Sequence, residues 1–228
     1  LTKENYPPWY EQRLWGLHDV PGYARNLFNF PVIAYSGEID KQKQAADVMA
    51  EAFAAHDREL THLIGPKMGH KYDDASKKKV LAFVRKAFEY GRETNPQEIH
   101  VQTQTLKHNR VRWIYVSGLR EHWKDSRVDA YYEAEASTLE MMTKNVSSLI
   151  LMHPNPNCCG GLNGYALSID GSEIKVPSGR LSVSLVRRSD GTWAVEDPPE
   201  GLRKKHGLQG PIDDAFLSRF LVVAPDKP

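Results

Sequence analysis

At 228 residues the chain is long enough for one large domain or two ordinary ones with a real hydrophobic core. Hydrophobic residues make up 40% and charged residues 26%, and the net charge of +1 leaves no global field to gather nucleic acid or an acidic membrane surface. No window reaches the ~18 consecutive apolar residues of a spanning helix, no basic-then-apolar leader opens the chain, and the only two cysteines, Cys158 and Cys159, are adjacent, which excludes a disulfide framework.

The aromatic-rich opening, YPPWYEQRLWGL, carries Trp9, Tyr10 and Trp15, which either line a cleft or pack a helix against a sheet. Packing is the expectation. HDVPGYARNLFNF reads as a helix, with Asp19 as N-cap and Pro21 near its start. PVIAYS (31–36) is a compact apolar run, as in a parallel strand covered on both faces. DKQKQAADVMAEAFAAH places Ala45, Met49, Ala52, Phe53 and His56 on one helical face. ELTHLIG is a second short strand. In DDASKKKVLAFVRKAFEYG, Asp73 or Asp74 caps a helix whose buried stripe is Val80, Leu81, Val84, Ala87 and Phe88, and Gly91 ends it. Its three lysines, Lys77, Lys78 and Lys79, fall mainly off the stripe on a solvated face.

Strand, helix, strand, helix with short links is the signature of a parallel α/β sheet. Two strands cannot bury both faces of such a sheet, so this half looks incomplete.

Near residue 93 the period changes to two. EIHVQTQTL alternates Val101, Thr103 and Thr105 against His100, Gln102 and Gln104, and KHNR turns the chain. VRWIYVSGL, RVDAYYEAEA, TLEMMT, SSLILMH, RLSVSLVRR and TWAVE follow, with Asp170-Gly171 and Asp190-Gly191 as hairpin signals. Strands of this length and spacing argue a β-sandwich or a small antiparallel barrel over residues 97–200. Trp113, Tyr115, Trp123, Tyr131 and Tyr132 are either a binding platform or core; core is the expectation. The Gly/Pro-rich tail, 201–228, recovers one short helix and one apolar strand. Its basic cluster LRKKHG lacks interleaved aromatics and does not mark a nucleic-acid site. His153 with Cys158 and Cys159 completes no metal-ligand spacing, and a Gly-rich surface loop accounts for them.

Asp40 lies just past the first strand and His70 in the loop after the second. In an open parallel sheet both positions fall at the carboxyl edge, where ligands collect. There an imidazole serves as general base while a carboxylate fixes its tautomer. Glu38 competes with Asp40 for the acid, and an Asp on a strand-to-helix turn is also an ordinary cap. His56, His62, His100, His108, His122 and His206 have no comparable setting and read as surface or packing residues.

With these motifs in view, residues about 20–91 resemble the C-terminal end of an α/β-hydrolase of the prolyl-oligopeptidase-like serine hydrolase family. PVIAYSGEIDKQ looks like that family's strand with a Gly-x-x-Asp turn, matched by Gly37 and Asp40, and HLIGPKMGHKY looks like its final strand and histidine loop. The block from HNRVRWIYVSGLREHWKDSRVDA to GLQGPIDDAF is similar to an accessory β-region of large hydrolases of this type from environmental bacteria. KQKQ stands where family members often have Val-Pro, so the pocket lining does not carry over. The resemblance implies an α/β part in 1–92, an appended β-rich domain, Asp40 as triad acid and His70 as triad base. It implies no metal or organic cofactor, a peptide or ester substrate, and a periplasmic or secreted location, whereas the residues themselves leave the compartment open.

The nucleophile elbow Gly-x-Ser-x-Gly is absent from the sequence. The serines in YSGE, VSGL and PSGR lack the paired glycines. The expectation is therefore a fragment of a serine hydrolase, inactive alone, whose nucleophile belongs to an upstream segment or another chain. Exposed apolar surface would make it recruit that segment or self-associate. The alternative is a non-catalytic module that binds polysaccharide or protein and keeps a relic hydrolase part.

Overall fold

The computed structural model describes residues 6–16, 18–93, 96–153 and 162–210. Cys158, Cys159 and the tail helix and strand expected after residue 210 lie outside the described residues. The chain is mixed α/β and mostly sheet. Among the described residues it has a two-stranded parallel sheet near its start and two open five-stranded sheets after it.

Helix α1 (Trp9–Trp15) is followed by a 3-10 segment, Val20–Asn29, and then by β1 (Ala34–Gly37), α2 (Lys43–Ala54), β2 (His62–Gly65) and α3 (Asp74–Tyr90). β1 and β2 pair in parallel, Ala34 opposite His62 and Gly37 opposite Gly65. Phe53 of α2 is buried with Ala24 and Leu60, and Phe28 meets Phe53 edge to face at 5.0 Å. α3 starts as its sequence dictates, with Asp73 Oδ1 accepting the Ser76 N–H at 2.8 Å, and ends at Gly91 with φ +65°.

Three expectations for this half are corrected. Val20–Asn29 is a 3-10 helix, not an α-helix, and the Asp19 side chain makes no capping bond. Pro21 removes a donor, Gly22 weakens the helix, and Asn26 and Asn29 spend their amides elsewhere. Leu81, Val84 and Phe88 of the α3 stripe are exposed, Phe88 at 86%, because nothing among the described residues covers that face. Trp9, Tyr10 and Trp15 are exposed too, and α1 buries none of its residues.

The β half comprises β3 (Glu98–Thr103), β4 (Arg110–Val111), β5 (Ile114–Leu119), β6 (Ser126–Glu133), β7 (Thr138–Lys144), β8 (Val146–Met152), β9 (Ala166–Ile169), β10 (Ser172–Ile174), β11 (Ser182–Arg187) and β12 (Trp193–Val195). One sheet runs β10-β9-β7-β6-β3 and the other β12-β11-β8-β5-β4. Pairing is antiparallel except between β7 and β9, which run parallel. Inward side chains of both sheets, Val128, Met141, Leu149, Leu151 and Leu185 among them, merge into one core, a sandwich-like arrangement. Trp113 and Tyr132 join it, but Tyr115 and Trp123 are only half-buried and Tyr131 is exposed, so the core expected for all five aromatics holds for two.

The Asp170-Gly171 turn is a two-residue hairpin with both residues at positive φ, +50° and +78°, as its sequence predicts. Asp170 also ties one sheet to the other. Its carboxylate accepts from the Thr143 N–H at 2.7 Å and from Trp193 Nε1 at 2.9 Å. Asp190-Gly191 differs, since only Gly191 has positive φ and the loop closes through the Arg188 N–H to Thr192 O at 2.8 Å. It is a longer turn.

β3 departs from simple alternation because residues Ile99 through Thr103 are all buried. Its free edge is covered by the 3-10 segment. Asn29 Nδ2 donates to His100 O at 2.7 Å while Asn29 Oδ1 accepts the His100 N–H at 2.9 Å. Asn26 does the same with Gln102, at 2.8 Å in both directions. Residues three apart on a 3-10 helix lie on one face, about 6 Å apart along the axis. Residues two apart on a strand lie about 6.6–6.8 Å apart. The amides therefore fall into step with the ladder and satisfy an edge that would otherwise stand open.

Candidate functional site

β1 and β2 both end at glycines, and the loops that follow are stitched together. Glu38 N donates to Gly65 O at 2.9 Å, and Ile39 N to Met68 O at 3.0 Å. A Cβ built on Gly37 would stand 2.1 Å from Gly69 O and 2.2 Å from Met68 O, so the crossing admits only glycine. Lys67, at φ +55°, has its N–H bound by Glu38 Oε2 at 2.7 Å. Glu38 is thus a tie between the two loops.

That tie leaves Asp40 to meet His70. Asp40 Oδ1 accepts the Gln42 N–H at 2.9 Å, and Oδ2 lies 2.9 Å from His70 Nδ1. The Asp40 side chain is 10% exposed and that of His70 is 77% exposed. The Gln42 N–H first, then His70, holds the Asp40 carboxyl below its usual range. With Nδ1 held by Asp40, Nε2 is left without a hydrogen-bond partner among the described residues. Around it lies open surface, not an enclosed cleft. Tyr35 donates its hydroxyl to Lys71 O at 2.8 Å and stacks on Tyr72 at 4.2 Å, bracing the histidine loop.

The arrangement supports proton transfer through Nε2, with a carboxylate fixing the Nδ1–H tautomer. A Ser-His-Asp set lies nearby: Ser36 Oγ is 3.0 Å from His62 Nε2, and His62 Nδ1 is 3.9 Å from Asp47 Oδ1. It is built differently. Ser36 is buried, and the Asp47 carboxylate is taken by Lys43 Nζ at 2.6 and 2.8 Å. This network anchors α2 to the sheet.

Sequence reading missed a buried charged cluster where the 3-10 segment meets the β half. Asp129 Oδ1 accepts from Arg25 and from His100 Nδ1, the latter at 2.5 Å. His100 Nε2 lies 2.9 Å from Glu98 Oε1, off the hydrogen-bonding direction, and Arg58 donates to Glu98 at 2.9 Å. Burial pushes the Asp129 carboxyl up, but His100 and Arg25 outweigh it and hold it below the ordinary range. The signal was His100 facing Asp129 across an antiparallel pair, which needs the register of β3 on β6.

Among the described residues no group of three or more His, Cys, Asp or Glu could hold a metal ion, and no helix is long and apolar enough to cross a membrane. Compared with protein-family models, curated proteins and solved structures, the chain finds no match.

Proposed function

We propose that Asp40 and His70 are the acid and base of a serine hydrolase of the prolyl-oligopeptidase-like α/β-hydrolase type, whose serine arrives from outside these residues. The observation that carries this reading is the His70 Nδ1 to Asp40 Oδ2 contact of 2.9 Å, with Nε2 turned away from the acid. Two further features support it. Among the described residues β1 pairs only with β2, leaving its other edge open for a parallel neighbour, and no layer covers the apolar side chains of the α3 stripe.

In the complete site, Nε2 takes the serine proton as Oγ bonds to the acyl carbon. The imidazolium, stabilised by Asp40, returns that proton to the departing oxygen or nitrogen as the acyl bond breaks. Water then repeats the two transfers and frees the acid. Peptides and esters, including acyl groups linked to carbohydrate, suit this chemistry. It calls for no metal or organic cofactor, and these residues alone should not turn over substrate.

The test uses the natural gene product. It should carry a Gly-x-Ser-x-Gly segment, react covalently with a fluorophosphonate at that serine, and hydrolyse activated acyl esters. His70→Ala should lower kcat by about 10⁴-fold or more with the fold unchanged. A gene product without such a segment, or one as active with His70→Ala as without it, overturns the proposal and leaves a binding module as the better reading.

A further inference from the structure

Away from Asp40 and His70, a cleft of about 440 Å³ opens between α1 and the β half, lined by Trp9, Tyr10, Arg13, Leu14, Trp123 and Lys204. Its walls combine exposed aromatic rings with two cations. Trp9 is 69% exposed and Tyr10 54%, although such side chains ordinarily bury most of their area. Arg13 lies over the Trp9 ring at 5.4 Å, and neither Arg13 nor Lys204 has a carboxylate within ion-pair distance among the described residues. Glu121, whose carboxylate feels the charge of Arg13, is taken by Lys124 at 2.6 Å.

Trp123 adds an independent sign. It has φ +67°, a conformation that costs a bulky residue energy, and its N–H is held by Gln104 O at 2.7 Å. Residues kept in such conformations by their surroundings cluster at ligand clamps. Here the strain sets an indole at the cleft. The Gln104 side chain fills the space in front of Gly16 and Gly22, so the residue whose carbonyl holds Trp123 also packs against the end of α1 and the start of the 3-10 segment.

From these groups we infer that the cleft is a binding site for an acidic saccharide, a uronic-acid-bearing sugar chain. Indole and phenol faces offer flat apolar surface to the C–H face of a pyranose ring, and the Arg13 guanidinium and Lys204 ammonium match its carboxylate. A neutral sugar would leave both cations unanswered. The site does not depend on Asp40 or His70, so its success or failure is separate from that of the hydrolase reading.

The experiment is affinity electrophoresis and tryptophan-fluorescence titration of the chain with oligogalacturonate, and with neutral xylo-oligosaccharide as comparison. Oligogalacturonate should bind with a dissociation constant in the millimolar range or tighter, and at least about tenfold more tightly than the neutral sugar. Trp9→Ala should weaken binding about tenfold or more; because α1 buries none of its residues, the fold stays intact, which a thermal melt checks. The double variant Arg13→Gln, Lys204→Gln should remove the preference for the acidic sugar while sparing neutral binding. No retardation by oligogalacturonate, equal binding of both sugars, or Trp9→Ala binding as the parent does would each overturn the inference.

Discussion

The two halves solve the same problem with unequal means. In the β half, 22 buried side chains among the described residues form one continuous core to which both sheets contribute. Among the described residues the cluster of the α/β half has three buried side chains, Ala24, Phe53 and Leu60, and its last helix leaves Leu81, Val84 and Phe88 exposed. At roughly 25 cal/mol per Å² of apolar area removed from water, the first gains far more from its own packing than the second. The difference shows where cooperativity ends. The sandwich-like half gains from its own packing, whereas the α/β half is held by polar ties along β3.

The sharpest way to break that comparison is Asp129→Ala. It leaves Arg25 and His100 buried without their carboxylate, and should cost about 3–5 kcal/mol of docking. Thermal unfolding followed by tryptophan fluorescence and by proteolysis should then separate into two transitions, the α/β half opening first. A single unshifted transition would mean that the halves are coupled by something other than this cluster.

Asn26→Ala should act in the same direction with a smaller effect, about 1–3 kcal/mol, since it strips partners from Gln102 N and O at the β3 edge. Hydrogen exchange at the Gln102 amide is the direct readout. Protection unchanged there would sink the role given to the asparagine.

Acid sharpens the contrast more gently. Asp129 and Asp40 both have carboxyls held below their ordinary 3.8 in the folded chain. Each therefore contributes stability that is fully present above that value and is lost as pH falls through the folded pKa. Both groups belong to the α/β half or its seam. Titration downward from pH 5 should loosen that half while β-sheet amides around Leu149 stay protected, and Asp129→Asn should flatten the response.

How much of this was legible depended on what each pattern encodes. The alternation in SSLILMH and TLEMMT marks β8 and β7 because one face of each meets the core. The same logic fails at β3, where a second body covers the remaining edge and hides the alternation. α3 was legible as a helix because a 3.6-residue stripe is local. Whether anything meets that stripe is not local, and Phe88 lies in water. Asp40 and His70 were legible because each follows a strand by a few residues, so parallel pairing alone brings them together. His100 and Asp129 are a closer pair, yet their meeting depends on strand register, which no short motif carries.

The asparagine pair has one more consequence. A strand edge offers its outward-facing groups only at every second residue, so a body fastened by two side-chain amides cannot slide by small amounts. It must release both and re-engage about 6.8 Å further along. Position along β3 is therefore quantised, like a peg in a rack. The β half is thus set against the segment leading to the Asp40–His70 edge at one notch, and a mismatch there would show as complete loss of alignment, with no intermediate settings.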